Sequence, residues 1–357
     1  MSFSKTIFVT GFPGFIAERL VARLARPVVQ FYLLALPQFV TAAAKSCNRI
    51  AEATATPPEN FAIVEGDISK ENLRISDEDL EEIRGDITDI FHLAAVYDLE
   101  VERDLAYRVN VEGTKNVNEF AASLPRLGRF NYVSTCYTAG LREGVILETE
   151  LEHTAGFRNF YEETKYLAEL EVEKLKADLP VTIFRPAVVV GDSRTGETPK
   201  FDGIYALIFY LLRQPTLFRL INVGNSGVKL NLVPVDFVVE AMAALSDDEE
   251  AIGKTIALAD PAPMTTAEIF DVLAESITGK KSIYSPPANL VKTFLNSAFS
   301  PLLTGLPSSG VPYFYVPQQY DTAIASGLLQ KHGISCPNFA EYAPSLVEFA
   351  RFRSNPR

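Results

Sequence analysis

Cysteine and histidine are scarce in this chain: Cys47, Cys136 and Cys336, with His92, His153 and His332, are all that 357 residues contain. The cysteines are odd in number and share no paired spacing with one another or with the histidines. Neither a disulfide framework nor a metal site is indicated, and a reducing cytoplasm is the expected setting. Basic residues are in deficit too. Lys and Arg number 33 against 45 Asp and Glu, a formal net charge of -12. A nucleic-acid partner is not expected, because neutralising phosphates needs a basic face. Long uninterrupted apolar runs are also missing. The stretch 204–221 is broken by Arg213, Gln214, Pro215 and Arg219, and the stretch 290–306 by Lys292, Asn296, Ser300 and Pro301, so no transmembrane segment is expected. The first residues lack the length and cleavage pattern of a signal peptide, which argues against secretion. No internal repeat is evident.

What is present is apolar and periodic. At 47% hydrophobic content the chain can bury a large core. Short β-branched or aromatic runs alternate with longer amphipathic ones, the pattern of strand–helix–strand units around a parallel sheet. Strands are predicted at Lys5–Thr10, Val28–Leu36, Phe61–Val64, Ile87–Leu93, Phe130–Ser134 and Val181–Phe184, and helices over Phe15–Leu24, Leu105–Ala122 and Asn159–Ala177. Beyond Arg185 the texture changes to a segment rich in Pro, Gly and Thr, and then to an aromatic one. Asn231–Val235 and Lys254–Ala259 are expected to return to the sheet, each followed by a helix start, at Asp236 and at Thr265-Thr266. The prediction is an α/β protein with a doubly wound parallel sheet and a smaller, interleaved C-terminal cap for substrate. Residues 1–197 form the dinucleotide-binding part, completed by about 231–262, and 198–357 are mainly cap. The region 282–317 reads as irregular cap.

Directly after the first strand stands Gly11-Phe12-Pro13-Gly14-Phe15-Ile16-Ala17. Gly11 permits a sharp turn, Gly14 lets the backbone approach a pyrophosphate, and Ala17 allows close packing of helix on strand. The helix N-terminus is left to receive the phosphate charge. A glycine pair in a loop is common, but its place between strand and helix meets the structural condition for this motif. Asp67-Ile68 follows another strand, where the carboxylate and the next amide suit an adenine edge; a helix cap is the plainer alternative. Ala94-Ala95 ends a further strand with small residues, as expected against a cofactor or in ordinary packing. About 20 residues past the glycines an NAD-preferring fold carries an acidic residue; here Leu36-Pro37-Gln38 stands, with Lys45 and Arg49 on the next helix. The expectation leans to NADP(H), with NAD(H) as the alternative.

Tyr161 and Lys165 lie one helical turn apart on one face. A phenol is a poor acid at neutral pH, and a nearby ammonium favours its phenolate, which predicts a lowered pKa and a proton-transfer role for Tyr161. Such a pair on a solvated face is common. Its weight comes from Ser134 and Thr135 at the end of the preceding strand, where ligands of an open sheet bind. Either hydroxyl can hold a substrate oxygen.

The Gly11–Ala17 turn, Asp67-Ile68, Ala94-Ala95, Asn110-Val111-Glu112-Gly113-Thr114, Val133-Ser134-Thr135, Tyr161 to Lys165 with Glu169, and Arg185-Pro186 together resemble the extended short-chain dehydrogenase/reductase family, over nearly the whole chain. The resemblance implies a Rossmann fold and a nicotinamide cofactor. It also implies that Lys165 holds the nicotinamide ribose, that Pro186, Ala187 and Val188 lie beside the nicotinamide, and that Thr135 rather than Ser134 is the active hydroxyl. Val133–Tyr137, Val189–Gly196 and Asn231–Asp236 look most like the thioester-reductase and fatty-acyl-CoA-reductase branch. Members often place an Arg after the second strand, where this chain has Leu36. The 357 residues contain no segment that reads as a carrier or adenylation domain, so a thioester is expected to arrive from solution or a partner. A homodimer is compatible with the family.

Phe201, Tyr205, Phe209, Tyr210, Phe218, Phe294 and Phe299 suit an apolar acyl or sterol-like substrate, although such aromatics also fill cores. The expected activity is reduction of a fatty acyl thioester or long-chain aldehyde. Two alternatives remain: an alcohol/ketone dehydrogenase of hydroxysteroid-like or sugar-nucleotide type, and a non-catalytic NAD(P)-sensing protein. The bland readings are His92 as packing, His153 and His332 as surface or loop residues, Cys136 as a buried neighbour, and Asp247–Glu250 as a solvated helix end.

Overall fold

In a computed structural model, residues 3–201, 203–287, 289, 293, 313 and 315–354 of the chain are described. Seven parallel strands make the central sheet: β1 (Lys5–Thr10), β2 (Val29–Ala35), β3 (Phe61–Glu65), β4 (Asp89–His92), β5 (Arg129–Val133), β7 (Val181–Pro186) and β10 (Thr255–Leu258). Their order is β10-β7-β5-β4-β1-β2-β3, so the winding reverses between β1 and β4. The carboxyl ends of these two strands therefore open a crevice at the switch point, where such sheets bind ligands. Two small parallel pairs stand apart, β6 (Gly144–Ile146) with β11 (Gln318–Tyr320), and β8 (Val188–Val190) with β9 (Leu232–Pro234).

The strands read as continuous apolar runs because both faces of the sheet are covered. On one face pack α1 (Phe15–Leu24), α2 (Val40–Thr54), α9 (Val235–Leu245) and a helix at Ala323–Lys331, in a core holding Phe31, Phe91, Val133 and Phe184. On the other lie α3 (Asp77–Arg84), α5 (Gly113–Ala122) and α6 (Phe160–Glu173), around Phe8, Ile90, Phe130 and Tyr132. A separate cluster joins α7 (Ile204–Arg213), α10 (Thr266–Thr278) and the C-terminal helix Phe339–Ser354 to Val190 and Leu232. We number α4 (Arg103–Ala106) and α8 (Thr216–Arg219) in chain order, and call the last two helices α11 and α12.

The predicted Asn231–Val235 strand does not enter the central sheet. β7 already has β5 on one edge and β10 on the other, so β9 pairs instead with β8, where the chain has turned away after Pro186. The helix starts after both segments are present. Thr265 caps α10 in a reciprocal arrangement with Glu268, and Gly279 ends it at φ +75°. The predicted Leu105–Ala122 helix carries a wide turn at Tyr107–Glu112 between α4 and α5, which the hydrophobic period does not show. Asp247, Asp248 and Glu250, read as solvated, are paired with Lys5, His332 and Lys331. Phe294 and Phe299, with most of 282–317, lie outside the described residues.

Candidate active site

The Gly11–Ala17 turn joins β1 to α1 at the switch point. Gly11 takes φ +83°, a left-handed conformation that a side chain disfavours. A Cβ there would stand 2.8 Å from the Ala94 nitrogen, and one on Gly14 would stand 2.6 Å from the Gly11 carbonyl oxygen. The cradle therefore exists only because neither residue has a side chain. Gly14 caps α1 without any side-chain cap, leaving the first-turn amides for an anion. Phe12 is buried, so its side chain packs into the core while the backbone forms the rim. These features fit a dinucleotide pyrophosphate.

A buried polar chain ties this turn to its neighbours. The Ala94 amide donates to Thr10 Oγ1 at 3.1 Å, and Thr10 Oγ1 meets His92 Nδ1 at 2.7 Å. His92 Nε2 meets Thr114 Oγ1 at 3.1 Å, and that hydroxyl donates to the Asn110 carbonyl at 2.6 Å. With Thr114 spending its proton on Asn110, it accepts from His92 Nε2–H; Nδ1 is then the acceptor from Thr10. Burial, reinforced by Lys165, holds the His92 pKa at about 3, so the ring is neutral. Asn110, in the wide turn, accepts from the Val96 amide at 2.8 Å and donates to Thr164 on α6 at 3.0 Å.

The carboxyl end of β5 carries the hydroxyl pair, and the two side chains part company. Ser134 donates to Glu169 on α6, a fully buried carboxylate that also receives the Arg185 fork, from Nε at 2.8 Å and from Nη2 at 2.5 Å. Thr135 Oγ1 instead accepts from the Tyr137 amide at 3.2 Å and donates to the Pro186 carbonyl at 3.5 Å, near enough to the Tyr161 phenol to act against the rise in its pKa. Lys165 Nζ, one turn on, donates to Tyr132 Oη and to the Val133 carbonyl, each at 2.9 Å. Burial lowers its pKa to about 7 against the raising effect of Glu169. Tyr161 moves opposite to the expectation from its spacing. Burial pushes its phenol up and Tyr97 adds to this, while Thr135 opposes; the Lys165 ammonium is turned toward Tyr132 and the strand end.

Tyr97 is the residue that spacing did not reveal. It stands in the loop after β4, with its ring edge-on to Tyr161 at 5.1 Å between centroids. Lys200 holds it from the other side, donating to the Tyr97 carbonyl at 3.2 Å and lying 4.8 Å over the ring. A tyrosine in an irregular loop has no periodicity to announce it. Asp67 accepts from the Ser69 amide at 2.9 Å, a local turn, and Ile68 beside it is buried. Pro186, Ala187 and Val188 cross from β7 to β8, and the Pro186 carbonyl lies 3.5 Å from Thr135 Oγ1. Leu36, Pro37 and Gln38 follow β2, with no carboxylate among them; Arg49 is engaged by Glu18 and Ser46. Cys136 donates to the Arg185 carbonyl at 3.1 Å, and burial pushes its thiol up, as befits a packed neighbour.

Residues 9–242 match the family described as Male sterility protein. The chain belongs to that family. Proteins similar to it include the fatty acyl-CoA reductase wat of Drosophila melanogaster, 28% identical over 68% of this chain and 54% of that protein. Fatty acyl-CoA reductase 1 of Arabidopsis thaliana is 24% identical over 68% of this chain and 63% of that protein. The chain thus spans between half and two thirds of the length of these curated relatives. Among solved structures, the terminal R domain of the myxalamid PKS-NRPS biosynthetic pathway superposes with a TM-score of 0.82 at 25% identity, over 99% of this chain and 92% of that one. A thiolation-reductase di-domain from an archaeal non-ribosomal peptide synthetase shares the fold, with a TM-score of 0.75 at 16% identity over 98% and 76%.

Proposed function

We propose that this protein is an NAD(P)H-dependent oxidoreductase that reduces the carbonyl of a fatty acyl thioester or long-chain aldehyde. The observation that carries the reading is the buried group of Thr135 at the carboxyl end of β5 with Tyr161 and Lys165 on α6, in a sheet whose β1–α1 turn is the side-chain-free glycine cradle. The fatty acyl-CoA reductases among its relatives support the substrate class.

The bound nicotinamide supplies the hydride. The turn Gly11–Ile16 would hold its pyrophosphate through the N–H groups left unused at the start of α1 (Pro13 has none, and that of Gly14 goes to the Gly11 carbonyl), Asp67 and Ile68 would hold its adenine, and Ala94, Ala95, Pro186, Ala187 and Val188 would line its path. Lys165 holds the ribose while its contacts to Tyr132 and Val133 fix the ammonium. Thr135 and Tyr161 donate to the carbonyl oxygen, stabilising the charge that develops there, and Tyr161 delivers the proton. Ser134, spent on Glu169, positions the strand end. A thioester then loses its thiol as the carbonyl re-forms.

NADP(H) is the cofactor we favour, because no carboxylate at the end of β2 repels a 2′-phosphate. Residues 1–197 with 231–262 serve the cofactor and 198–357 mainly the substrate. The buried, unpaired Cys47 and Cys136 suit a reducing cytoplasm, and no described helix is long and apolar enough to cross a membrane. A homodimer is the assembly we propose.

The test is oxidation of NADPH and of NADH by the purified protein with a long-chain acyl-CoA and, separately, the matching aldehyde, with product identification. Thiol release with the acyl-CoA supports the thioester reading. Turnover of aldehydes or ketones alone moves the function to alcohol/ketone dehydrogenation on the same residues. Cofactor binding with no turnover of any carbonyl leaves a sensing role.

A further inference from the structure

A second concave region lies in the cap, away from the elements that build the glycine turn. It is an open cleft of about 770 Å³ between α7, α8 and the C-terminal helix α12. That is the size of a small-molecule site, typically about 300–1,000 Å³. Its floor is apolar, from Phe201, Phe209 and Leu212, and its other lining residues are all arginines: Arg213, Arg219, Arg351 and Arg353. In a chain of net charge -12 this concentration of one sign runs against the average.

Arg351 donates to the Ile277 carbonyl at 2.8 Å. Among the described residues Arg213, Arg219 and Arg353 form no ion pair. Arg219 donates to the Leu212 and Gln214 carbonyls at 2.9 and 2.6 Å, which fixes its fork at the wall, and Arg353 lies 5.5 Å over the Phe349 ring. Phe201 and Phe209 meet edge to face at 5.4 Å, an aromatic corner with the cationic groups around it. Planar stacking surfaces beside guanidinium groups suit a phosphorylated nucleotide, since a fork such as that of Arg213 or Arg353 can pair two phosphate oxygens, while Arg219 and Arg351, each held by backbone carbonyls, add positive charge at the wall. The cleft also connects to the chemistry. Lys200, the residue before Phe201, contacts Tyr97, and Tyr97 contacts Tyr161.

Resting on the reading of the chain as a thioester reductase, we propose that this cleft binds the phosphate-bearing nucleotide end of a coenzyme A thioester. The arginines meet its phosphates and the phenylalanines its adenine, while the pantetheine arm runs past Lys200 toward Tyr161. The concave shape and aromatic floor favour a nucleotide over the acidic helix of a carrier protein, which needs a broad basic surface.

The experiment is equilibrium dialysis of coenzyme A against wild type, R213A/R353A and R213K/R353K, with NADP⁺ saturating so that the glycine turn is filled. NAD(P)H oxidation is read in parallel with an acyl-CoA and the matching acyl-pantetheine. Coenzyme A affinity should fall at least tenfold in the alanine variant and less in the lysine variant. The preference for acyl-CoA over acyl-pantetheine in kcat/KM should fall by a similar factor. Equal coenzyme A affinity in wild type and the alanine variant overturns the proposal. So does an effect seen only with an acyl carrier protein, which would make the cleft a protein-docking surface. Arginine-dependent coenzyme A binding with no oxidation of either thioester keeps the cleft and removes the reductase reading; reduction of acyl-pantetheine with arginine-independent coenzyme A binding does the reverse.

Discussion

At the scale of single residues, the site divides its hydroxyls by partner. Ser134 belongs to Glu169, whereas Thr135 bonds the Tyr137 amide and the Pro186 carbonyl, although the sequence places them side by side. Replacing Tyr161 by Phe keeps the ring and removes the donor. Turnover should fall by about 10²–10⁴-fold, the usual worth of a positioned proton donor, with cofactor affinity retained in a fluorescence titration of NADPH. Undiminished kcat in Y161F would sink the proton-transfer role. Lys165 gives a stability signature instead. Its folded pKa is lowered from 10.5 to about 7. Between those values the unfolded chain binds a proton that the folded one does not, so stability from this group rises with pH across the window and its cost is full below it. Urea denaturation at pH 7, 8 and 9 should show wild type gaining on K165M as pH rises. Parallel curves would mean that the ammonium is not held in the low-pKa setting.

At the scale of elements, the Glu169–Arg185 pair on α6 and β7 locks the end of β5 through Ser134. Arg185 also reaches the Glu148 and Glu150 carbonyls, at 3.3 and 3.0 Å. Glu169→Ala strands a buried guanidinium, a loss of about 3–5 kcal/mol for a broken buried pair. Thermal and urea unfolding of E169A should show that loss, and a change under about 1 kcal/mol would show the pair to be solvated. The same elements show what a sequence reveals. β1 and α1 fall where apolar period, glycines and caps agree, residue for residue. The β9 strand has equally good local signals, yet pairs outside the main sheet because edge availability is a property of the assembled strands. The raised Tyr161 pKa was hidden likewise: spacing places an ammonium one turn away but not the direction of its N–H bonds, nor the loop that buries the phenol. The proximity of Arg213 and Arg219 to Arg351 and Arg353 joins positions more than a hundred residues apart, and no periodicity connects them.

At the scale of the whole molecule, two bodies of side chains meet over the candidate active site. The sheet and its two helical layers carry the cradle and Tyr161, whereas α7, α10 and α12 share a cluster of their own built on Phe270, Phe339 and Tyr342. Residues of the two meet where Lys200, just before α7, grips the loop after β4 through Tyr97. Tyr161 is only 6% exposed under that contact. If a carbonyl is to reach Thr135 and Tyr161, the Tyr97 ring is expected to swing clear first and close again behind it. Solvent friction acts on such a swing and not on bond-making. If the swing limits turnover, kcat should drop in proportion to added sucrose viscosity in wild type and lose that dependence in Tyr97→Ala, where nothing bulky has to move. A wild-type rate indifferent to viscosity would place the slow step in chemistry. A viscosity-limited rate would put the clock of this protein in a loop that its sequence leaves unmarked.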